Sequence, residues 1–226
     1  MLTRVIDITR PLTTSSPVWP GDVPFVRGWI SPPGRDAAAV SWMRLSPHVG
    51  THIDAPLHLD PVGRDVASLP LLTCIGRCEV VALPGHDQAI DIGDLPPGWN
   101  PSTPRVLFAT GSWPVGSPIP PSFASLTTAF VDFLARAGVA LVGLDTPSVD
   151  SLWATDLPVH RRCVERSVLI LEGLDLSGVT PGAYTLVAVP LRLVGFEASP
   201  VRALLLPART LATGITERAG SVGPTD

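Results

Sequence analysis

A strand-rich α/β domain with a mixed sheet is the fold class this sequence predicts. Three observations point to it. Short apolar runs suited to buried strands recur along the chain, among them Val106–Thr110, Val139–Leu144 and Val168–Leu171. One amphipathic helix pattern, with Leu126, Phe130 and Leu134 four residues apart, stands directly before such a run, the order of a helix feeding a parallel strand. Many of the 26 prolines fall in clusters such as Ser31-Pro32-Pro33-Gly34 and Leu95-Pro96-Pro97-Gly98, which read as loops between short strands.

Taken in order, Arg4–Thr9 alternates well enough to be a strand. Val40–Leu45 is a second, leading into a histidine-rich segment. Arg77–Leu83 follows, then Val106–Thr110, apolar enough to be covered on both faces. Ser122 suits the N-cap of a helix reaching about Arg136, with Gly138 at its C′ position. Val139–Leu144 is the next strand, and a short helix is expected from about His160 to Arg166. Val168–Leu171, Tyr184–Pro190 and Val201–Leu206 complete the strands. No linker divides the chain. Residues 1–207 are therefore expected to form one domain, and 208–226, small, polar and without period, a flexible tail.

Composition narrows the function. The 226 residues are 45% hydrophobic, enough for a sizeable core, and carry a formal net charge of −4. With no lysine or arginine run, neither nucleic acid nor an anionic membrane surface is an expected partner. No apolar stretch reaches membrane-spanning length, and the first residues lack the apolar segment of a signal peptide. Cys74, Cys78 and Cys163 are odd in number and form no CxxC pair, which fits buried free thiols in a cytoplasmic protein.

The chemistry is concentrated in the histidines. His48, His52 and His58 share one short stretch with Asp54, and His160 precedes an apolar run that ends in Glu172. Imidazoles and carboxylates together are a donor set for a divalent metal such as zinc or manganese. Neither ideal geometry gathers these donors. A helix would send Asp54 away from His48 and His52 and be broken by Pro56. A straight strand would hold His48 and Asp54 about 20 Å apart at roughly 3.3 Å per residue. The chain must bend, and Gly50 is the natural pivot. Pro56 then turns the chain again, so that His58 stands beside the donors as a non-ligand. Glu172 is costly to bury unless paired or on a metal. Three histidines and two carboxylates, one of the latter bridging, are about enough for two metal ions with positions left for water. His86, in the loop Pro84-Gly85-His86, carries no assigned role. Cys74 and Cys78 are expected to share a strand face, and all three cysteines to pack in the core.

The stretch His48-Val49-Gly50-Thr51-His52-Ile53-Asp54-Ala55-Pro56-Leu57-His58 resembles the signature of the metal-dependent cyclase-like hydrolase family. The likeness runs toward the bacterial kynurenine formamidase (arylformamidase) branch. It is carried by Trp19-Pro20-Gly21-Asp22, by Gly143-Leu144-Asp145-Thr146-Pro147-Ser148, by the Glu172-bearing strand with the hairpin after it, and by the final Ala198-Ser199-Pro200-Val201-Arg202 segment. The resemblance implies a swivelling β/β/α fold and a homodimer or dimer of dimers. It implies that His48, His52 and Asp54 hold one zinc, that Asp54, His160 and Glu172 hold a second with Glu172 also reaching the first, that His58 is the general acid/base, and that Trp19 flanks an aryl substrate. The implied reaction is hydrolysis of N-formyl-L-kynurenine to L-kynurenine and formate. The alternatives are another small amide, an isatin-like cyclic amide or a lactone, and, outside catalysis, a metal-stabilised dimeric binding module. The chain departs from the family at Gly173, where asparagine is usual, at Arg161, where a second histidine is common, and across Ser151–Val159.

Overall fold

The computed structural model describes residues 5–34 and 38–208. In chain order the strands are β1 (Ile6–Asp7), β2 (Val26–Ser31), β3 (Val40–Arg44), β4 (His52–Asp54), β5 (Ile75–Ala82), β6 (Ala89–Ile90), β7 (Arg105–Ala109), β8 (Ser125–Leu126), β9 (Leu141–Leu144), β10 (Leu169–Glu172), β11 (Gly182–Val187), β12 (Ala198–Pro200) and β13 (Leu204–Pro207). The α-helices are α1 (Leu71–Cys74), α2 (Thr128–Arg136) and α3 (Pro158–Arg166). Nine strands form one sheet in the order β1-β13-β11-β5-β7-β9-β10-β4-β12. Its centre, β5-β7-β9-β10, is parallel. Antiparallel strands extend it on both sides.

The parallel centre is apolar on both faces because both are covered. Val106, Phe108, Val142, Leu144 and Ile170 pack with Phe130 and Leu134 of α2 and Cys163 of α3. Their neighbours Leu107, Leu141 and Leu171 point the other way, as the two-residue period of a strand requires, and join a second core. That second core takes in both Ile53, near one edge of the sheet, and Leu205, near the other, so the sheet curls around it.

Most expected strands are present within a residue or two of their expected bounds. Arg4–Thr9 is realised as β1, with Arg4 outside the described residues. Three expectations are corrected. The helix expected from Ser122 begins at Thr128. Ser125 and Leu126 instead pair with Ala89 and Ile90 as β8, and Leu126 enters the helix-side core from that strand. Thr127 is the true N-cap, its hydroxyl accepting from the Phe130 N–H at 3.0 Å, while Ser122 donates to the Asp87 carbonyl. The strand expected over Val201–Leu206 is realised only as β13, from Leu204, while Val201 forms an isolated bridge with Pro190. Cys74 closes α1 and does not share a strand face with Cys78, although both are buried, as is Cys163. β2 and β3 pair as a separate hairpin that leaves Trp29, Trp42 and Met43 exposed. The tail expected beyond Ala208 lies outside the described residues. Among the described residues, no helix is long and apolar enough to cross a membrane.

Candidate metal centre

Strand register assembles the site. β4 runs antiparallel to β10, with His52 opposite Glu172 and Asp54 opposite Ile170. Because side chains alternate, His52, Asp54 and Glu172 share the helix-side face, while Ile53 turns into the other core. α3 lies on that face and supplies His160. Gly50 is the pivot before β4, with φ +70°. His48 precedes it and returns onto Asp54. Pro56–His58 form a 3₁₀ turn that brings His58 back over the cluster.

The donors converge. Asp54 Oδ1 lies 3.1 Å from His48 Nδ1 and 3.5 Å from His52 Nε2, and Asp54 Oδ2 lies 3.4 Å from His160 Nε2. Glu172 repeats the pattern, with Oε2 3.2 Å from His52 Nε2 and Oε1 3.3 Å from His160 Nε2. Two ligands bonded at about 2 Å to one tetrahedral ion stand about 3.3 Å apart. The atoms approach without aligning on one another: His52 Nε2 and both Asp54 oxygens are buried and make no hydrogen bond. Buried polar atoms left in this way are costly. The donor set therefore fits a divalent cation on chemical grounds as well as on spacing.

Each ligand-type imidazole is held from behind. His160 Nδ1 donates to Asp150 Oδ2 at 2.7 Å, and the same carboxylate accepts the backbone N–H groups of Val159 and His160. His52 Nδ1 faces the Gly50 carbonyl at 3.1 Å. Both partners only accept, so Nδ1 donates to them and Nε2 is the nitrogen turned toward the cluster. His48 Nε2 lies 3.5 Å from Glu197 Oε1. Glu172 Oε1 also accepts the Val149 N–H at 2.7 Å. Sequence reasoning assigned no role to Asp150 or Glu197. The only available signal was their place within or beside segments already singled out, Thr146-Pro147-Ser148 and Ala198-Ser199-Pro200.

His58 sits closer to the donors than a bystander would. Its ring centroid is 4.5 Å from that of His48 and 5.6 Å from that of His160. Donor atoms of His48, Asp54 and His58 lie within 4.8 Å of one another, as do those of His52, Asp54 and Glu172. Distance alone does not divide ligand from base here. Electrostatics separates the rings. Burial disfavours charge at His48 and His160, but facing carboxylates outweigh it, raising His48 to about 9 and His160 well above the ordinary imidazole value. Burial prevails at His58 and holds it below the ordinary value, so this ring is neutral near pH 7. Burial pushes Asp54 and Glu172 upward, and the surrounding imidazoles more than reverse it, leaving both below the usual carboxylate range. His86 faces Asp94 at 4.0 Å, outside the cluster.

A cavity opens onto the cluster, walled by Trp19, Trp113, Ile119, Pro147 and Leu157, with Asp22 and Ser148 as polar lining. Trp19 is fixed edge-on against Phe123 at 6.4 Å between ring centroids. Leu157, at the end of the divergent stretch Ser151–Val159, holds a left-handed backbone with φ +47°. A family model described as "Putative cyclase" matches residues 6–151, which include four of the clustered side chains.

The chain belongs to the cyclase family. A curated relative in this family, the kynurenine formamidase of Salinibacter ruber, is 40% identical over 214 residues, covering 89% of this chain and 96% of its own. A cyclase-type structure described as a potential metal-dependent hydrolase with cyclase activity superposes with a TM-score of 0.78 at 29% identity, over 91% of this chain and 98% of that one. Isatin hydrolase A from Labrenzia aggregata shares the fold, with a TM-score of 0.75 at 22% identity over 91% of this chain and 94% of that one. The mixed, strand-rich α/β fold described above is thus the cyclase fold, and the chain is a hydrolase of that family.

Proposed function

We propose that this protein hydrolyses N-formyl-L-kynurenine to L-kynurenine and formate, using two divalent metal ions, zinc first and manganese as the alternative. The observation that carries the proposal is the double-sided use of Asp54 and Glu172. Each offers one oxygen toward His52 and the other toward His160. Such sharing suits two neighbouring ions, with His48, His52 and Asp54 around one and Asp54, His160 and Glu172 around the other. The likeness to a kynurenine formamidase supports the choice of substrate.

When bound, such ions would acidify water and polarise the formyl oxygen. The protein's own groups do the rest. His58, neutral and beside the cluster, takes a proton from the attacking water and delivers it to the aniline nitrogen, a poor leaving group until protonated. Trp19, with Trp113 lining the same cavity, offers an apolar wall to the aryl ring. The buried site keeps bulk water from the developing charge. A homodimer working in the cytoplasm completes the reading.

The test is a parallel assay of metal-analysed protein on N-formyl-L-kynurenine and isatin. Higher kcat/KM on the formamide with two ions per chain is the expected result. Preference for isatin, or saturation at one ion that His160→Ala leaves unchanged, would sink the corresponding part.

A further inference from the structure

One charged side chain in the cavity has no part in the chemistry above. Asp22 lines the pocket beside Trp19, and apart from the histidine–carboxylate cluster it is the one charged group among the described lining residues. No lysine or arginine faces this space among the described residues. Asp22 is also rigidly placed. Its N–H bonds the Trp19 carbonyl at 3.0 Å, and Gly21 between them has φ +96°, so Trp19-Pro20-Gly21-Asp22 is a type II turn. Proline fixes the first corner and only glycine suits the second. The residues that supply the aromatic wall and the carboxylate therefore stand at the two ends of one stiff turn, their Cα atoms within about 7 Å of each other.

We propose that Asp22 binds the α-ammonium of the substrate and makes the pocket selective for aryl formamides that carry an amino-acid tail. The assignment rests on the formamidase reading and adds to it the residue that distinguishes this tail from a neutral or purely anionic one. With the ring against Trp19 and the formyl group at the cluster, the tail meets a lone carboxylate and no cation. An ammonium satisfies that carboxylate through a charge-assisted hydrogen bond. The tail's own carboxylate finds no positive partner and is left toward solvent.

Asp22 also has a structural duty, and the two roles separate cleanly. Its Oδ2 accepts the Ser46 hydroxyl at 3.0 Å, and Ser46 Oγ in turn receives the His48 N–H at 3.3 Å. That duty needs an acceptor but not a charge, so asparagine preserves it. Oδ1 has no hydrogen-bond partner among the described residues and is the atom available to a ligand.

The experiment compares wild type and Asp22→Asn, at equal metal content, on N-formyl-L-kynurenine and on its des-amino analogue, 4-(2-formamidophenyl)-4-oxobutanoate. Wild type should prefer the amine-bearing substrate by about tenfold in kcat/KM, mainly through KM, the scale of one partly exposed charge-assisted hydrogen bond. In Asp22→Asn that preference should shrink to near parity. A preference that persists in the variant, or activities on both substrates that fall together, leaves Asp22 a purely structural residue and overturns the assignment. A wild type without any preference overturns it equally. Wild type that hydrolyses neither compound when loaded with metal removes the formamidase reading itself.

Discussion

Asp150 Oδ2 accepts the Nδ1 proton of His160 at 2.7 Å, and this single contact decides which nitrogen of the ring faces Asp54 and Glu172. The same carboxylate is pinned by the first two N–H groups it meets in α3, so ring and helix are set together. Asp150→Ala should weaken the ion on the His160 side by about 10–100-fold, the usual effect of removing a partner behind a ligand histidine. Asp150→Asn, which can still accept, should lose less. Chelator competition followed by elemental analysis reads both, and full retention of metal by Asp150→Ala would show that packing alone orients the ring.

His58→Ala should keep its metal and lose about 10²–10⁴-fold in kcat, the range of a general acid/base. Proximity to His48 and Asp54 makes the opposite outcome meaningful. A variant that loses one ion per chain identifies His58 as a ligand and transfers the proton-handling role elsewhere.

Metal uptake should release protons. In the metal-free protein, burial opposes charge at His48, but Asp54 keeps the ring protonated up to about 9. A metal takes only the neutral ring. Since the raised pKa favours the proton below about pH 9, uptake near neutral pH must expel it, and affinity should climb as pH rises toward that value. Calorimetric titrations in two buffers of different ionisation enthalpy measure the protons released. None released near neutral pH would mean that His48 is already neutral there.

Gly173→Ala should be strongly destabilising. A Cβ at this position would stand 2.2 Å from the Gly50 carbonyl oxygen, and the backbone is left-handed at φ +63°. Overpacking and backbone strain together come to about 2–4 kcal/mol. The Gly50 carbonyl is also the group behind His52, so the variant should lose metal along with stability. An unchanged denaturation midpoint would mean that the Gly50 turn shifts freely. Asparagine, usual in the family at this place, shares glycine's tolerance of left-handed backbone, but here the Gly50 carbonyl occupies the space.

The cluster's members were legible because their residue types are expensive anywhere else: a glutamate closing an apolar run, and three histidines with an aspartate around a glycine. Spacing even exposed the need for the Gly50 pivot. Register was not legible. Nothing local states that β4 lies between β10 and β12, since strand neighbours are chosen by complementary faces distant in sequence. Asp150 and Glu197 were invisible for the same reason, being ordinary surface-type residues until the fold sets them behind a ring. The misplaced helix start has a local cause. Leu126 fits a four-residue period, but a strand residue facing the same core does so equally well, and only the Thr127 cap distinguishes the two.

The place of β4 in the sheet carries a consequence for how the protein comes into being. His52 and Asp54 are made early, yet the two neighbours of their strand, Leu169–Glu172 and Ala198–Pro200, are synthesised more than a hundred residues later. Until both have been made, the strand that carries His52 and Asp54 has no partner in the sheet, and His160 and Glu172 are not beside it. The cluster is thus built by long-range pairing and cannot be assembled by the histidine-rich segment alone.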